Sequence, residues 1–223
     1  MKNFEDYLSS LINLDFSREE RAGKPEAIFG EGKPVEVILR IAEEYKKAGK
    51  PALFTRLNKE QMEALRAIGA EINEIARTAV FGKAEKVLGS VAILTAGTAD
   101  ISVAEEARVT AEFLGLEVLR FYDVGVAGLH RILEPVKTIR EKKVDSVIVV
   151  AGMEGALPSV IASLVDVPVI AVPTSIGYGV HLKGISTLFA MLQSCPSGVA
   201  VVNVDNGFGA GVFAYLISRV KSR

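Results

Sequence analysis

A chain of 223 residues that is 49% hydrophobic, 24% charged and close to neutral (formal net charge −1) can bury a full core, and it carries no charge excess for nucleic acid or an anionic membrane surface. A single cysteine excludes an internal disulfide and any cysteine-cluster metal site, and with only two histidines a zinc site is not expected. No apolar run reaches the length of a membrane span and the opening MKNFEDYLSSLINLDF has no continuous hydrophobic segment, so the expectation is a cytoplasmic globular protein with a small-molecule partner.

In chain order, Phe4, Leu8, Leu11 and Ile12 share one face of an opening amphipathic helix, and polar DFSREERAGKP then breaks the pattern, which predicts an N-terminal arm. EAIFG reads as a strand, and PVEVILRIAEEYKKAG as a helix with Pro34 in its first turn. PALFTRL reads as a second strand, and NKEQMEALRAIG as a helix behind an asparagine cap. AEINEIARTAVFG alternates like one further strand. Together these make a small α/β domain, and charged, glycine-bounded FGKAEKVLGS marks its end, so the predicted domains are residues 1–86 and 87–223. Within the first, Gly30-Glu31-Gly32-Lys33 stands between strand and helix. It is either a tight turn or a backbone cradle for a phosphate. A P-loop would need glycine at position 27 and serine or threonine at 34, where the chain has Ala27 and Pro34.

From Val91 the periodicity strengthens. VAILTA, EVLRFYDV, VDSVIVVA, PVIAV and VAVVNV are strand-like runs, separated by helices starting near Ile101, Ala127, Gly155, Gly184 and Gly207. Crossovers of that length impose right-handed parallel connections. The predicted class is therefore a three-layer α/β domain around a parallel sheet, with a flavodoxin-like strand order.

Ligands of such sheets bind at the carboxyl ends of the strands. The residues predicted there are Gly97-Thr98-Ala99-Asp100, Asp123-Val124-Gly125, Gly152-Met153-Glu154-Gly155, Pro173-Thr174-Ser175 and Asn203-Val204-Asp205-Asn206. Glycines admit a ligand to the backbone, and carboxylates can hold Mg²⁺ or move protons. Glu154 is the first candidate. Asp100 and Asn206 also have the simpler reading of helix caps. Cys195 lies in a polar connection, Gln193 to Gly198, behind the helix GISTLFAML. A helix carboxyl end disfavours thiolate, so a nucleophilic Cys195 requires compensating positive charge, which a cationic ligand would supply.

These motifs resemble a known family. GTADISVAEEA, GVAGLHR and AGMEGALPSV are similar to the Gly-Ser-x-Ser-Asp, Ser-Ala-His-Arg and Ala-Gly-x-x-x-His-Leu-Pro-Gly-Met segments of the PurE-like aminoimidazole ribonucleotide carboxylases. The likeness covers residues 91–220. It departs from the family where Ala156 replaces the catalytic histidine, where Cys195-Pro196 replaces Met-Pro, and where Gly128 replaces a phosphate-binding serine. With FGEGK and the added N-terminal domain, these changes resemble the LarB family of pyridinium-3,5-biscarboxylic acid mononucleotide synthases, of nickel-pincer cofactor biosynthesis.

That resemblance implies carboxylation of the pyridinium ring of nicotinic acid adenine dinucleotide by CO₂ or bicarbonate, and cleavage of its phosphoanhydride to release AMP. It implies a covalent adduct on Cys195, with proton transfer by Glu154 or, alternatively, Asp100. Mg²⁺ held by carboxylates such as Asp123 or Glu154 would neutralise the phosphates. Gly97, Thr98, Ala99, Gly152 and Met153 would line the substrate site, His130 and Arg131 would bind phosphate, and Ser175 and Ser194 would add donors. His181 receives no role. Because GISTLFAML is expected to carry Cys195 away from the rim that holds Glu154, the expectation is a homo-oligomer, an octamer in the related family, with sites near subunit contacts. Two other readings stay open: an aminoimidazole ribonucleotide carboxylase or mutase, and a non-catalytic nucleotide-binding protein.

Overall fold

The computed structural model describes residues 12–82 and 87–222. The face formed by Phe4, Leu8 and Leu11 lies outside those residues. The chain divides into two compact units, Met1–Ala84 and Glu85–Arg223.

The first unit opens differently from expectation. The polar stretch read as an interruption contains a short helix, α1 (Arg18–Ala22), which ends on Gly23 in the left-handed region (φ 72°) with its N–H on the Glu19 carbonyl. Arg21 pairs with Asp15 at 2.6 Å across its base. Then follow β1 (Ala27–Phe29), α2 (Val35–Lys47), β2 (Ala52–Thr55), α3 (Lys59–Ala67), β3 (Glu71–Asn73) and β4 (Thr78–Phe81). The sheet order is β1-β2-β4-β3, with β1 parallel to β2 and β4 antiparallel to both its neighbours. Ile38, Ile41, Ala42 and Tyr45 of α2 and Met62 and Leu65 of α3 bury against Ala52, Phe54 and Ala79.

AEINEIARTAVFG is a hairpin and not one strand. The Asn73 side chain accepts the Ala76 N–H at 2.9 Å and Arg77 turns left-handed at φ 54°, so the chain reverses within the alternating run. Residues Gly30 to Lys33 form a tight turn, with the Lys33 N–H on the Gly30 carbonyl at 3.1 Å. Buried Gln61 clamps that turn, donating to the Gly30 and Lys33 carbonyls at 3.0 and 2.7 Å while completing the Asn58 capping box of α3.

The second unit runs β5 (Gly89–Thr95), α4 (Ile101–Phe113), β6 (Leu116–Phe121), α5 (His130–Lys142), β7 (Ser146–Ala151), α6 (Leu157–Ala162), β8 (Val169–Pro173), α7 (Ile185–Leu192), β9 (Val199–Val201) and α8 (Gly207–Lys221). All five strands are parallel in the order β6-β5-β7-β8-β9, the flavodoxin-like arrangement. Every residue of β7 is buried, as expected of a central strand covered on both faces. Val147, Val149 and Ala151 join Ile132, Val136 and Ile139 of α5, Leu157 and Ile161 of α6 and Met191 of α7 in one core. On the other face α4 and α8 cross closely. A Cβ on Gly211 of α8 would stand 2.8 Å from the Ala107 carbonyl oxygen, so only glycine admits that approach. β6 stops three residues before its expected end, because Asp123 turns the chain left-handed at φ 59°. Among the described residues no helix is long and apolar enough to cross a membrane.

Candidate active site at the carboxyl edge of the parallel sheet

The chain runs from β5 to β6 in one direction and returns past β5 to β7 in the other, so the carboxyl ends of β5 and β7 diverge. That divergence is the crevice where this topology binds ligands. The loops that leave these strands hold most of the predicted residues.

Asp100 is the hub. Thr98 to Asp100 form one 3-10 turn after β5, leaving Thr98 and Ala99 exposed and Asp100 only 5% exposed. The Asp100 carboxylate does not cap α4. It accepts the Gly97 N–H at 2.9 Å and the Thr174 hydroxyl at 2.8 Å, and is bonded by the Gly152 N–H. One buried carboxylate therefore ties the loops after β5, β7 and β8 together. Burial pushes its pKa above the ordinary carboxylate value and the Asp205 charge adds to this, against the pull of the three donors. Gly152 has no alternative here, since a Cβ would lie 2.4 Å from the Ile176 carbonyl oxygen.

The β7 loop carries Glu154 outward. Met153 is left-handed at φ 49°, Gly155 follows at φ 64°, and Met153 and Glu154 are both exposed. Such a methionine persists only when its surroundings hold it. The grip comes from α7, where the buried Thr187 hydroxyl bonds the Met153 carbonyl and Met191 packs so close to Gly155 that a Cβ there would be 3.1 Å from it. Thr187 was not singled out in the sequence. Its signal is the adjacent hydroxyl pair Ser186-Thr187 among the apolar residues of GISTLFAML.

Three residues beyond the end of that helix stands Cys195, which is exposed. Ser194 bonds Ser159 in α6 at 2.5 Å, which ties the peptide before the thiol to the helix beginning three residues after Glu154. Ser194 is thereby a brace for Cys195. Ser175 contributes its backbone, donating N–H to Asp205 at 2.7 Å.

Beyond β6, the Asp123 N–H bonds the Thr95 hydroxyl at 2.9 Å. Arg131 Nη1 donates to the Asp123 carbonyl at 2.8 Å and lies 3.3 Å from its carboxylate. The predicted metal ligand and the predicted phosphate ligand are thus bound to each other. His130 is exposed at the start of α5. Gly128 leaves room for the Arg131 fork, since a Cβ would meet its Nε at 2.9 Å. Asp123 and Glu154 follow β6 and β7, which flank β5 on opposite sides. Among the described residues no group of three or more His, Cys, Asp or Glu forms a metal site. Mg²⁺ commonly takes only one or two carboxylates together with substrate phosphates, and exposed Glu154 fits that use better than Asp123 does.

His181, given no role in the sequence, is buried at 5% exposure in a 3-10 segment, Gly179–Gly184, between β8 and α7.

Residues 90–223 match the family described as AIR carboxylase, and residues 4–83 match the LarB/PurE-like N-terminal domain. Over 98% of its length the chain is 45% identical to the uncharacterized protein MJ0165 of Methanocaldococcus jannaschii, covering 88% of that protein. It is 35% identical to the N5-carboxyaminoimidazole ribonucleotide mutase of the same organism, over 59% of this chain and 80% of that one. A crystal structure of Treponema denticola PurE aligns with TM-score 0.49 at 22% identity, over 60% of this chain and 83% of that one.

Proposed function

From a chain that belongs to the AIR carboxylase family and also carries a LarB/PurE-like N-terminal domain, we propose a LarB-type pyridinium carboxylase. Its substrate is nicotinic acid adenine dinucleotide, and its products are pyridinium-3,5-biscarboxylic acid mononucleotide and AMP, for nickel-pincer cofactor biosynthesis. The observation that carries this reading is the exposed Cys195 just beyond α7, the helix whose Thr187 and Met191 grip the Glu154 loop. Ala156, half-buried in that loop, leaves no imidazole where the related carboxylases have one.

The chemistry needs such a thiol. A pyridinium carbon is too electron-poor to attack CO₂. Addition of the Cys195 thiolate to the ring carbon opposite nitrogen forms a C–S bond and leaves a neutral dihydropyridine, whose next carbon is an enamine nucleophile. That carbon bonds to CO₂, placing the new carboxylate and a hydrogen on one tetrahedral centre. A base takes this proton, and expulsion of the thiolate restores the aromatic cation. Glu154 suits the base better than Asp100, because it is exposed, whereas Asp100 is occupied by three donors. Water then cleaves the phosphoanhydride. Mg²⁺ at Glu154 and the phosphates would stabilise the charge that develops there. Thr98, Ala99, His130 and Arg131 face the ribose phosphate in this reading.

We further propose a homo-oligomer that shares its sites. Ile185, Phe189 and Leu192 make an exposed apolar stripe on α7, continued by Tyr178, Val180 and Leu182 in the preceding segment. A second copy of the chain covering this stripe would sit beside Cys195.

The test incubates the protein with bicarbonate, Mg²⁺ and either nicotinic acid adenine dinucleotide or aminoimidazole ribonucleotide, with products read by mass spectrometry. AMP and the dicarboxylated mononucleotide are expected. Consumption of aminoimidazole ribonucleotide alone would replace this reading with the purine one.

A further inference from the structure

The segment after β8 keeps a buried donor idle. His181 Nδ1 accepts the Gly184 N–H at 3.1 Å, which places the proton of the neutral ring on Nε2. Nε2 is buried and has no hydrogen-bond partner among the described residues. Buried donors are nearly always paired, so an orphan in a loop marks a place where something else completes the bond.

The ring is held there by an expensive backbone. Leu182 and Lys183 are both left-handed, at φ 50° and 52°, and the Ser186 hydroxyl fastens the Val180 and His181 carbonyls at 3.0 and 2.9 Å. The ring lies against Gly177, where a Cβ would be 2.8 Å from Nε2. The residue before Gly177 is Ile176, whose carbonyl rests on Gly152 of the Glu154 loop. The cover over Nε2 is therefore a surface loop at the lip of the carboxyl-edge crevice. Gly177 and Gly179 flank Tyr178 in that loop, and Ile176, Tyr178 and Val180 are exposed.

We propose that His181 is a substrate-binding residue whose Nε2–H donates to an oxyanion of the bound pyridine nucleotide once this loop parts over Gly177. The inference rests on the functional reading above. The acceptor is an anionic oxygen, supplied by either the ring carboxylate or the phosphate of the nucleotide.

Titration calorimetry with three probes separates these sources: nicotinic acid mononucleotide, nicotinamide mononucleotide and nicotinic acid riboside. His181→Phe keeps a flat ring and removes the donor. It should weaken nicotinic acid mononucleotide by about ten- to a hundred-fold, the usual worth of a hydrogen bond to a charged group. If the carboxylate is the acceptor, the loss extends to the riboside and spares nicotinamide mononucleotide. If the phosphate is the acceptor, the pattern reverses. In the wild-type protein, the imidazole Nε2–H resonance that His181→Phe removes should move when nicotinic acid mononucleotide saturates the site, a readout that does not depend on how well the variant folds. Unchanged affinities and an unmoved resonance, with the wild type binding, overturn the role of His181 alone. A folded wild type that binds none of the three probes overturns the pyridine-nucleotide reading and this inference with it.

Discussion

Single residues in this chain gain their meaning from what they are bonded to. Asp100 and Asp145 are both carboxylates beside the sheet, and they titrate in opposite directions. At Asp145 burial alone would push the pKa up, but Lys221, the Ser218 hydroxyl and the Ser90 N–H together hold it below the ordinary value. The stability it contributes is present above about pH 4, where an unfolded carboxylate ionises, and is lost as pH falls through its folded pKa. Asp100 has the other sign. With its folded pKa raised, its contribution is complete below about pH 4 and is lost as pH rises through that higher value. Denaturant titrations of wild type and Asp145→Asn should therefore differ most near neutrality and converge as pH falls. Curves that stay parallel down to pH 3 would mean that Asp145 is not the group responsible.

Among the elements, α7 does two tasks: it leads into the connection that carries Cys195 and fixes the Glu154 loop from its side. Thr187→Val removes the bond to the strained Met153 peptide and leaves the volume nearly unchanged. On the functional reading, kcat should fall about ten-fold with KM little altered, and Thr187→Ser should restore it. Equal losses in both substitutions would point to packing alone. The helices and strands were largely legible in the sequence because central strands such as β7 are continuous apolar runs, α2 opens behind Pro34 and α3 carries its own Asn58 cap. Turns written in side-chain chemistry were less legible. The alternation of AEINEIARTAVFG fits one strand equally well, and only the Asn73 bond to the Ala76 N–H reveals the hairpin. The rim residues followed from strand ends, but their wiring did not. Asp100 meets Thr174 across 74 positions, and the Arg131–Asp123 pair joins residues given separate roles. Thr187 and His181 stayed hidden because their partners are a backbone carbonyl and a backbone N–H, which carry no residue signature.

The whole molecule pairs a four-stranded mixed sheet in one unit with a five-stranded parallel sheet in the other. The parallel sheet places Asp100, Glu154 and several glycines at the diverging ends of β5 and β7. The exposed stripe of α7 sets an expectation for assembly. Phe189 is 58% exposed, and Phe189→Glu puts a charge in the centre of the stripe. Light scattering should report an oligomer for the wild type and a smaller species for the variant. A monomeric wild type would contradict the proposed assembly.

The decisive step of the proposed reaction is the opening of a pyridinium ring to carboxylation by Cys195. Its most direct measurement supplies ¹³C-bicarbonate and nicotinic acid adenine dinucleotide to the wild type and to Cys195→Ala, and follows the label by mass spectrometry. The wild type should yield a mononucleotide carrying one ¹³C carboxylate, together with AMP, and the variant none of the labelled product. Labelled product from Cys195→Ala at the wild-type rate would contradict the thiolate mechanism, and no labelled pyridine product from either protein would contradict the function itself.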